Sequence, residues 1–208
     1  HLQDYIRELK KSHREIGIHE AEFADDTLNK VVVNDDFDTV VPSAAQVTAI
    51  AKATPIQISG TSYTTYNKMM TNYWQKWGGE VDALVQVGFV NGKTINEIAD
   101  GVLKEMRLEK SPISKTVLSR AKRSAKAVAI TGTNHYANNA RVSYVNANDE
   151  VLVGYRLISV LDSRTSQQCR ALDQRVIAKD DKNLSKFTPP LHINCRTAMT
   201  YEVADKYK

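Results

Sequence analysis

The chain has 208 residues, with 42% hydrophobic and 25% charged content, enough apolar material for a sizeable core without disulfide or metal staples. Its formal net charge is +4 and it carries two cysteines, too few for a disulfide-scaffolded secreted fold. No apolar run approaches the roughly 20 residues of a membrane span and no secretory signal is visible, so no membrane partner is expected and synthesis in a cytoplasm fits. The chain begins at His1 rather than Met, as expected of a fragment or a processed form.

Leu2 to Ile18 reads as an amphipathic helix, with Leu2, Ile6 and Leu9 on one face and Lys10, Lys11 and Arg14 at its end. His13 and His19 could serve as ligands, but read better as solvated side chains on a helix face. An acidic block follows, Glu20, Glu22, Asp25 and Asp26, then Asp35, Asp36 and Asp38. It reads as solvated loop and helix ends, with a docking surface for a basic partner as the sharper alternative. Val31–Val33 and Thr39–Val41 are β-branched runs suited to short strands or extended segments. Ser43 is a natural cap for a helix running to about Ala53 and stopping before Pro55. Ile56–Gly60 reads as a loop.

Thr61–Val87 carries Tyr63, Tyr66, Met70, Tyr73, Trp77, Val81 and Leu84 at three- and four-residue steps, which predicts the longest helix, weakened at Gly78–Gly79. Only Lys68 and Lys76 accompany this aromatic stripe, so core packing suits it better than stacking on bases. Gly88–Gly92 is a turn, and Thr94 with Glu97 forms a capping box for a helix bearing Ile95, Ile98, Val102 and Met106. Pro112 opens a further helix that runs to Tyr144 with a break near Gly132. Val117, Ala121, Ala125, Val128 and Ala129 face inwards along it, while Lys115, Arg120, Lys122, Arg123 and Lys126 make its other side basic. With Lys104, Arg107 and Lys110 this is the main positive region. Such a stripe suits a solvated face, the phosphates of DNA or an acidic protein partner.

Asn146–Asp149 is a turn, Val151–Leu161 a strand, Arg175–Ile177 its neighbour, Ala178–Thr188 a charged loop and Arg196–Val203 a returning strand. The fold class is therefore α+β. A mainly helical body over residues 1–146 precedes a small β-rich C-terminal domain over residues 147–208, closed by a cysteine–histidine loop cluster.

That cluster gathers the special residues of the chain: Asp162, Arg164, Cys169 and Asp173, then His192, Cys195 and Arg196. Cys169 and the His192-x-x-Cys195 pair have the spacing of a metal knuckle, one ligand, a long loop, then two ligands on one turn. A fourth soft ligand would fall at position 166, which holds Ser166, so Asp162 or Asp173 would have to supply an oxygen. A Cys169–Cys195 disulfide closing a loop of about 26 residues is a second reading, and two packed thiols a third. The residues favour the last two over zinc, and no cofactor is expected. Asp162 with Arg164, and Asp173 with Arg196, are candidate forked ion pairs that fix loop geometry. No Gly-rich phosphate loop and no hydrolytic triad order is visible.

The string Val160-Leu161-Asp162-Ser163-Arg164-Thr165-Ser166, with Cys169, Leu172 and Asp173, then Pro189-Pro190, His192 and Asn194-Cys195-Arg196, resembles the signature of the Mu F-like head morphogenesis proteins. These are minor head proteins of tailed bacteriophages. Ala127–Asn134 and Ala137–Arg141 resemble the helix that precedes the signature, and the resemblance spans Gly92 to Glu202. The chain departs from the family pattern with Thr131-Gly132-Thr133 for Thr-Glu-Thr, Gln174 for Gly and Ser166 for Cys. The resemblance implies a virion head protein, made in the host cytoplasm, that works in capsid assembly with the portal and other head proteins and handles packaged DNA. The family's C-terminal domain is also likened to the ADP-ribosyltransferase fold, which would make Arg156 and Glu202 the catalytic candidates. A metal nuclease using Asp162, Asp173 and His192 is a further enzyme reading. The assembly role is the one these residues favour, and catalysis is not expected.

Overall fold

A computed structural model describes residues 2–31, 38–59, 61–73, 75–76 and 112–207. The readings made for residues 32–37 and 77–111 lie outside the described residues, as do those for the side chains of Lys115, Arg120 and Lys122.

Helix α1 spans Leu2–Val31, well past the end expected near Ile18. His13, Gly17, Ala21, Ala24 and Leu28 recur at helical steps and are all buried, so one face continues where the large apolar residues stop. His13, expected in solvent, is 1% exposed. The first part of the acidic block is therefore helical, and two of its members bind the body together. Glu20 meets Arg141 at 2.6 Å, and Asp25 accepts the Tyr144 hydroxyl at 2.9 Å.

Helix α2 spans Ala44–Ala53 and begins as expected. Ser43 Oγ accepts from the Gln46 N–H at 3.3 Å and Gln46 Oε1 accepts from the Ser43 N–H at 2.8 Å, a complete capping box. Losing such a cap costs about 1 kcal/mol. Thr39–Val41 is not a strand. Its backbone is held by a side chain, because Val40 N–H donates to Asn148 Oδ1 at 2.6 Å and Val40 carbonyl accepts from Asn148 Nδ2 at 2.9 Å.

Strands β1, Ile56–Ser59, and β2, Ser62–Thr64, pair antiparallel where a loop and a helix start were expected. Ile56 is buried and Ile58 exposed, a period of two that prevails over the helical step starting at Tyr63. Thr65 then opens a helical stretch at residues 66–73 by accepting the Lys68 N–H at 3.2 Å. Tyr66, Met69 and Met70 are buried there, as the core reading of the aromatic stripe requires.

Helix α3 spans Pro112–Ala147 and does not break at Gly132. From Thr131 to Val145 it is buried or half-buried on every side, and α1, α2 and the C-terminal sheet surround it. The sheet comprises β3, Leu152–Ile158, β4, Val176–Ala178, and β5, Ala198–Val203, in the order β4-β3-β5, all antiparallel. Short helices α4, Gln167–Leu172, and α5, Leu184–Phe187, punctuate its connections, so the charged loop after Ala178 contains one helical turn. A 3-10 turn over Asp205–Tyr207 follows β5.

Leu152, Tyr155 and Leu157 of β3, with Ile177 and Met199, pack on Val142, Tyr144 and Val145 of α3 and Ala24 and Leu28 of α1. Fully burying one such leucine contributes about 2 kcal/mol. This shared core fixes the sheet against the helices and sets the loops beyond Ile158 over the middle of α3. The fold is α+β, as expected. Among the described residues no helix is long and apolar enough to cross a membrane.

Candidate functional site

The site forms where the loop after β3, helix α4 and the loop before β5 meet α3. Ser166 caps α4, its Oγ accepting from the Cys169 N–H at 3.2 Å, which sets Cys169 in the first turn. The Cys195 N–H donates to the His192 carbonyl at 3.1 Å, so His192 and Cys195 lie on one tight turn. Asn194 takes the left-handed φ of 61° that this turn needs, which asparagine tolerates better than most residues. The Pro189–Pro190 peptide before it is cis.

These elements bring Cys169, His192 and Cys195 together. Cys169 Sγ lies 3.8 Å from Cys195 Sγ and 3.1 Å from His192 Nε2. The cysteines are buried free thiols, and His192 is half-buried. Ser166 Oγ stands 3.0 Å from the same Nε2. The other ring nitrogen, Nδ1, lies 2.8 Å from the Ile193 carbonyl, which can only accept. Nδ1 therefore donates to that carbonyl, and Nε2 is the nitrogen that faces Cys169 and Ser166. Donation from Cys195 pulls the Cys169 thiol below its ordinary range, with Ser166, Thr197 and His192 adding to the effect against burial. The same contact, with burial, pushes the Cys195 thiol up.

A knot of polar contacts holds this corner. Arg196 grips Asp162 with two N–H groups, Nη2 to Oδ1 at 2.6 Å and Nη1 to Oδ2 at 2.8 Å. The Arg164 N–H adds a bond to Oδ1 at 2.9 Å, and its guanidinium reaches Oδ2 at 3.4 Å. Arg196 above all, then the Arg164 N–H and the Thr165 hydroxyl, hold the Asp162 carboxyl well below the usual carboxylate range. The expected Asp173–Arg196 pair is not formed. Asp173 instead accepts the Ser159 N–H at 2.7 Å, closing the end of β3, because Arg196 faces Asp162 across the loop.

From the helix side, Asn134 Nδ2 donates to the Cys195 carbonyl at 2.7 Å and the Thr197 carbonyl at 3.1 Å. Thr131 Oγ1 accepts the Asn194 N–H at 3.1 Å, and Asn138 Oδ1 accepts the Met199 N–H at 2.8 Å. Ser159 Oγ donates to the Cys169 carbonyl at 3.0 Å and lies 3.0 Å from Thr197 Oγ1. Thr131, Asn134, Asn138, Ser159 and Thr197 were not read as site residues from sequence. For the three on α3 a signal was there, in polar residues at three- and four-residue steps along a segment otherwise fit for burial.

The family described as Phage Mu protein F like protein matches residues 79–200. The chain belongs to that family. Comparison with curated proteins finds no match, and comparison with solved structures finds none. The matched segment of this Mu F-like chain holds α3, the whole cysteine–histidine corner and most of the sheet. Membership makes the chain a phage head morphogenesis protein, with other head proteins as its partners and the virion head as its place.

The remaining candidates of this Mu F-like chain fall elsewhere. Arg156 on β3 and Glu202 on β5 bond to each other, Nη2 to Oε2 at 2.9 Å, and neither lines the cleft beside the corner. Asp162 and Asp173 do not join His192 as a nuclease site, since one is bound by Arg196 and the other by the Ser159 N–H. Among the described residues, the one group of ligand atoms close enough to share a metal is Cys169, His192 and Cys195. Of the basic face, Arg123 and Lys126 are exposed on the first half of α3.

Proposed function

We propose that the chain is a minor head protein that acts in capsid assembly at the portal, as a docking module rather than an enzyme, and that its basic helix face meets packaged DNA or an acidic head protein. The observation that carries this reading is the Arg156–Glu202 pair. A transferase would need that glutamate turned to a sugar and that arginine turned to a dinucleotide. Here each is the other's partner across two strands, which supports a structural use. The exposed Arg123 and Lys126 support a salt-sensitive contact with an anionic partner.

The test is assembly in the presence of portal and coat proteins. The chain is expected in purified heads together with the portal, and Glu202→Gln is expected to leave head number and infectivity unchanged. Normal heads that contain the Glu202→Gln chain but have lost infectivity would favour catalysis. Arg123→Glu combined with Lys126→Glu should weaken DNA or portal binding, more so at low salt. Binding that stays unchanged and insensitive to salt would remove the basic face from the proposal.

A further inference from the structure

We propose that Cys169, His192 and Cys195 bind one zinc ion, with the Ser166 hydroxyl or a water molecule at the fourth position. The geometry of the ligand atoms is the first reason. Zinc–sulfur bonds of about 2.3 Å and zinc–nitrogen bonds of about 2.0 Å in a tetrahedron place two sulfurs about 3.8 Å apart and a sulfur and a nitrogen about 3.5 Å apart. The sulfurs here are 3.8 Å apart, and Cys169 Sγ is 3.1 Å from His192 Nε2. Opening the second contact by a few tenths of an ångström makes room for the ion.

The second reason is the histidine. A ligating imidazole donates its other N–H to a carbonyl or carboxylate, which fixes both tautomer and ring angle. His192 does this through Nδ1 to the Ile193 carbonyl. A disulfide between the cysteines would use two of the three groups and would leave the aim of Nε2 unexplained. Spacing alone ranked zinc third, and this convergence reverses the order.

The third reason is that the ligands are held before any ion arrives. Ser166 and Ser159 fix Cys169 through its N–H and its carbonyl, and Asn134 fixes Cys195 through its carbonyl. The donor set also selects the metal class. Two thiolates and an imidazole suit a soft or borderline divalent ion and not magnesium or calcium. On binding, two zinc–sulfur bonds and one zinc–nitrogen bond form, and the two thiol protons leave to solvent. The charges of the ion and two thiolates cancel, which a corner with two buried sulfurs requires.

Ser166 is the weak member. Its Oγ stands 3.0 Å from Nε2, close enough to reach an ion there, but a neutral hydroxyl is a poor zinc ligand. This predicts a gain of function, since Ser166→Cys completes a four-ligand set and should tighten binding. The site is independent of the head-assembly reading, and neither depends on the other's test.

The experiment uses the whole chain, reduced, loaded with zinc and desalted. Elemental analysis should find one zinc per chain, and cobalt(II) in its place should give tetrahedral d–d absorption with a thiolate charge-transfer band. A chelator should lower the melting temperature of the wild type, and Ser166→Cys should hold the ion against chelator concentrations that strip the wild type. Folded, reduced protein that retains no zinc and shows no cobalt–thiolate band would overturn the proposal. So would a mass lower by two hydrogens that returns after each reduction in the presence of zinc, which would assign the pair to a disulfide. None of these readings needs a cysteine or His192 variant to fold.

Discussion

Two regions of this protein are built around histidine, and they treat it differently. In the helical body, His13 accepts the Tyr66 hydroxyl on Nδ1 at 2.7 Å and donates from Nε2 to the Ala129 carbonyl at 3.1 Å. His135 donates from Nε2 to the Ala51 carbonyl at 2.5 Å, and its Nδ1 accepts from Asn139 at 3.3 Å. The rings of Tyr66 and Tyr136 pack around both. In the C-terminal corner, His192 ties one nitrogen to the backbone and turns the other to a thiol and a hydroxyl. A structural histidine has both nitrogens answered by groups that cannot hold a metal. His192 leaves one nitrogen facing a thiol and a hydroxyl, the arrangement that the proposed zinc site uses.

The sharpest break of this contrast is by pH. Burial lowers the pKa of both body histidines from 6.5 to about 4, partly offset by the carbonyl each one bonds. Both are thus neutral in the fold, and between pH 6.5 and 4 the unfolded chain takes up the proton first. Stability is complete above pH 6.5 and falls as pH drops towards 4, by about 3 kcal/mol for each histidine. The Asp162 carboxyl titrates below this window, so it does not blur the effect. Urea denaturation at pH 7 and at pH 4.5 measures the loss, and equal stabilities would mean that the two rings are not held neutral.

A smaller effect is expected from Gly132→Ala. A Cβ there would lie 2.1 Å from His13 Cε1 and 2.4 Å from His13 Nδ1, in a ring held by two hydrogen bonds. Overpacking of this kind costs roughly 2 kcal/mol. The cost should shrink in a His13→Ala background, a non-additivity that denaturation of the four variants of the cycle would reveal. Simple addition of the two losses would show that Gly132 and His13 are not complements. Any side chain larger than glycine at position 132 would collide with the His13 ring in the same way.

The smallest expected change lies in the corner. Gln174 has a φ of 62°, the left-handed region where glycine carries no penalty and most side chains do. Gln174→Gly should stabilise the chain by about 1 kcal/mol. Asn194→Gly, at a φ of 61°, should gain less because asparagine already tolerates that backbone. Thermal denaturation of the two variants separates these cases, and equal shifts would remove backbone strain as the cause.

Local signals carried much of the architecture. Ser43 marked the start of α2, the alternation around Tyr155 marked β3, and Cys169 with His192-x-x-Cys195 marked the corner and the family. Each is legible because its physics is complete within a few residues: a cap, a pleat, a turn. What sequence could not supply was the partner of each group across space. The continuation of α1 rested on small residues, Gly17, Ala21 and Ala24, whose worth appears only against a neighbouring helix. Arg196 had two aspartates within reach of its chain position, and the loop fold chose Asp162. His13 had the look of a surface histidine until Gly132, far along the chain, made room for it in the interior. Capping, alternation and ligand spacing are short-range and can be read along a line, whereas burial and pairing follow from how α1 and the C-terminal loops dock on α3, which only the tertiary structure decides.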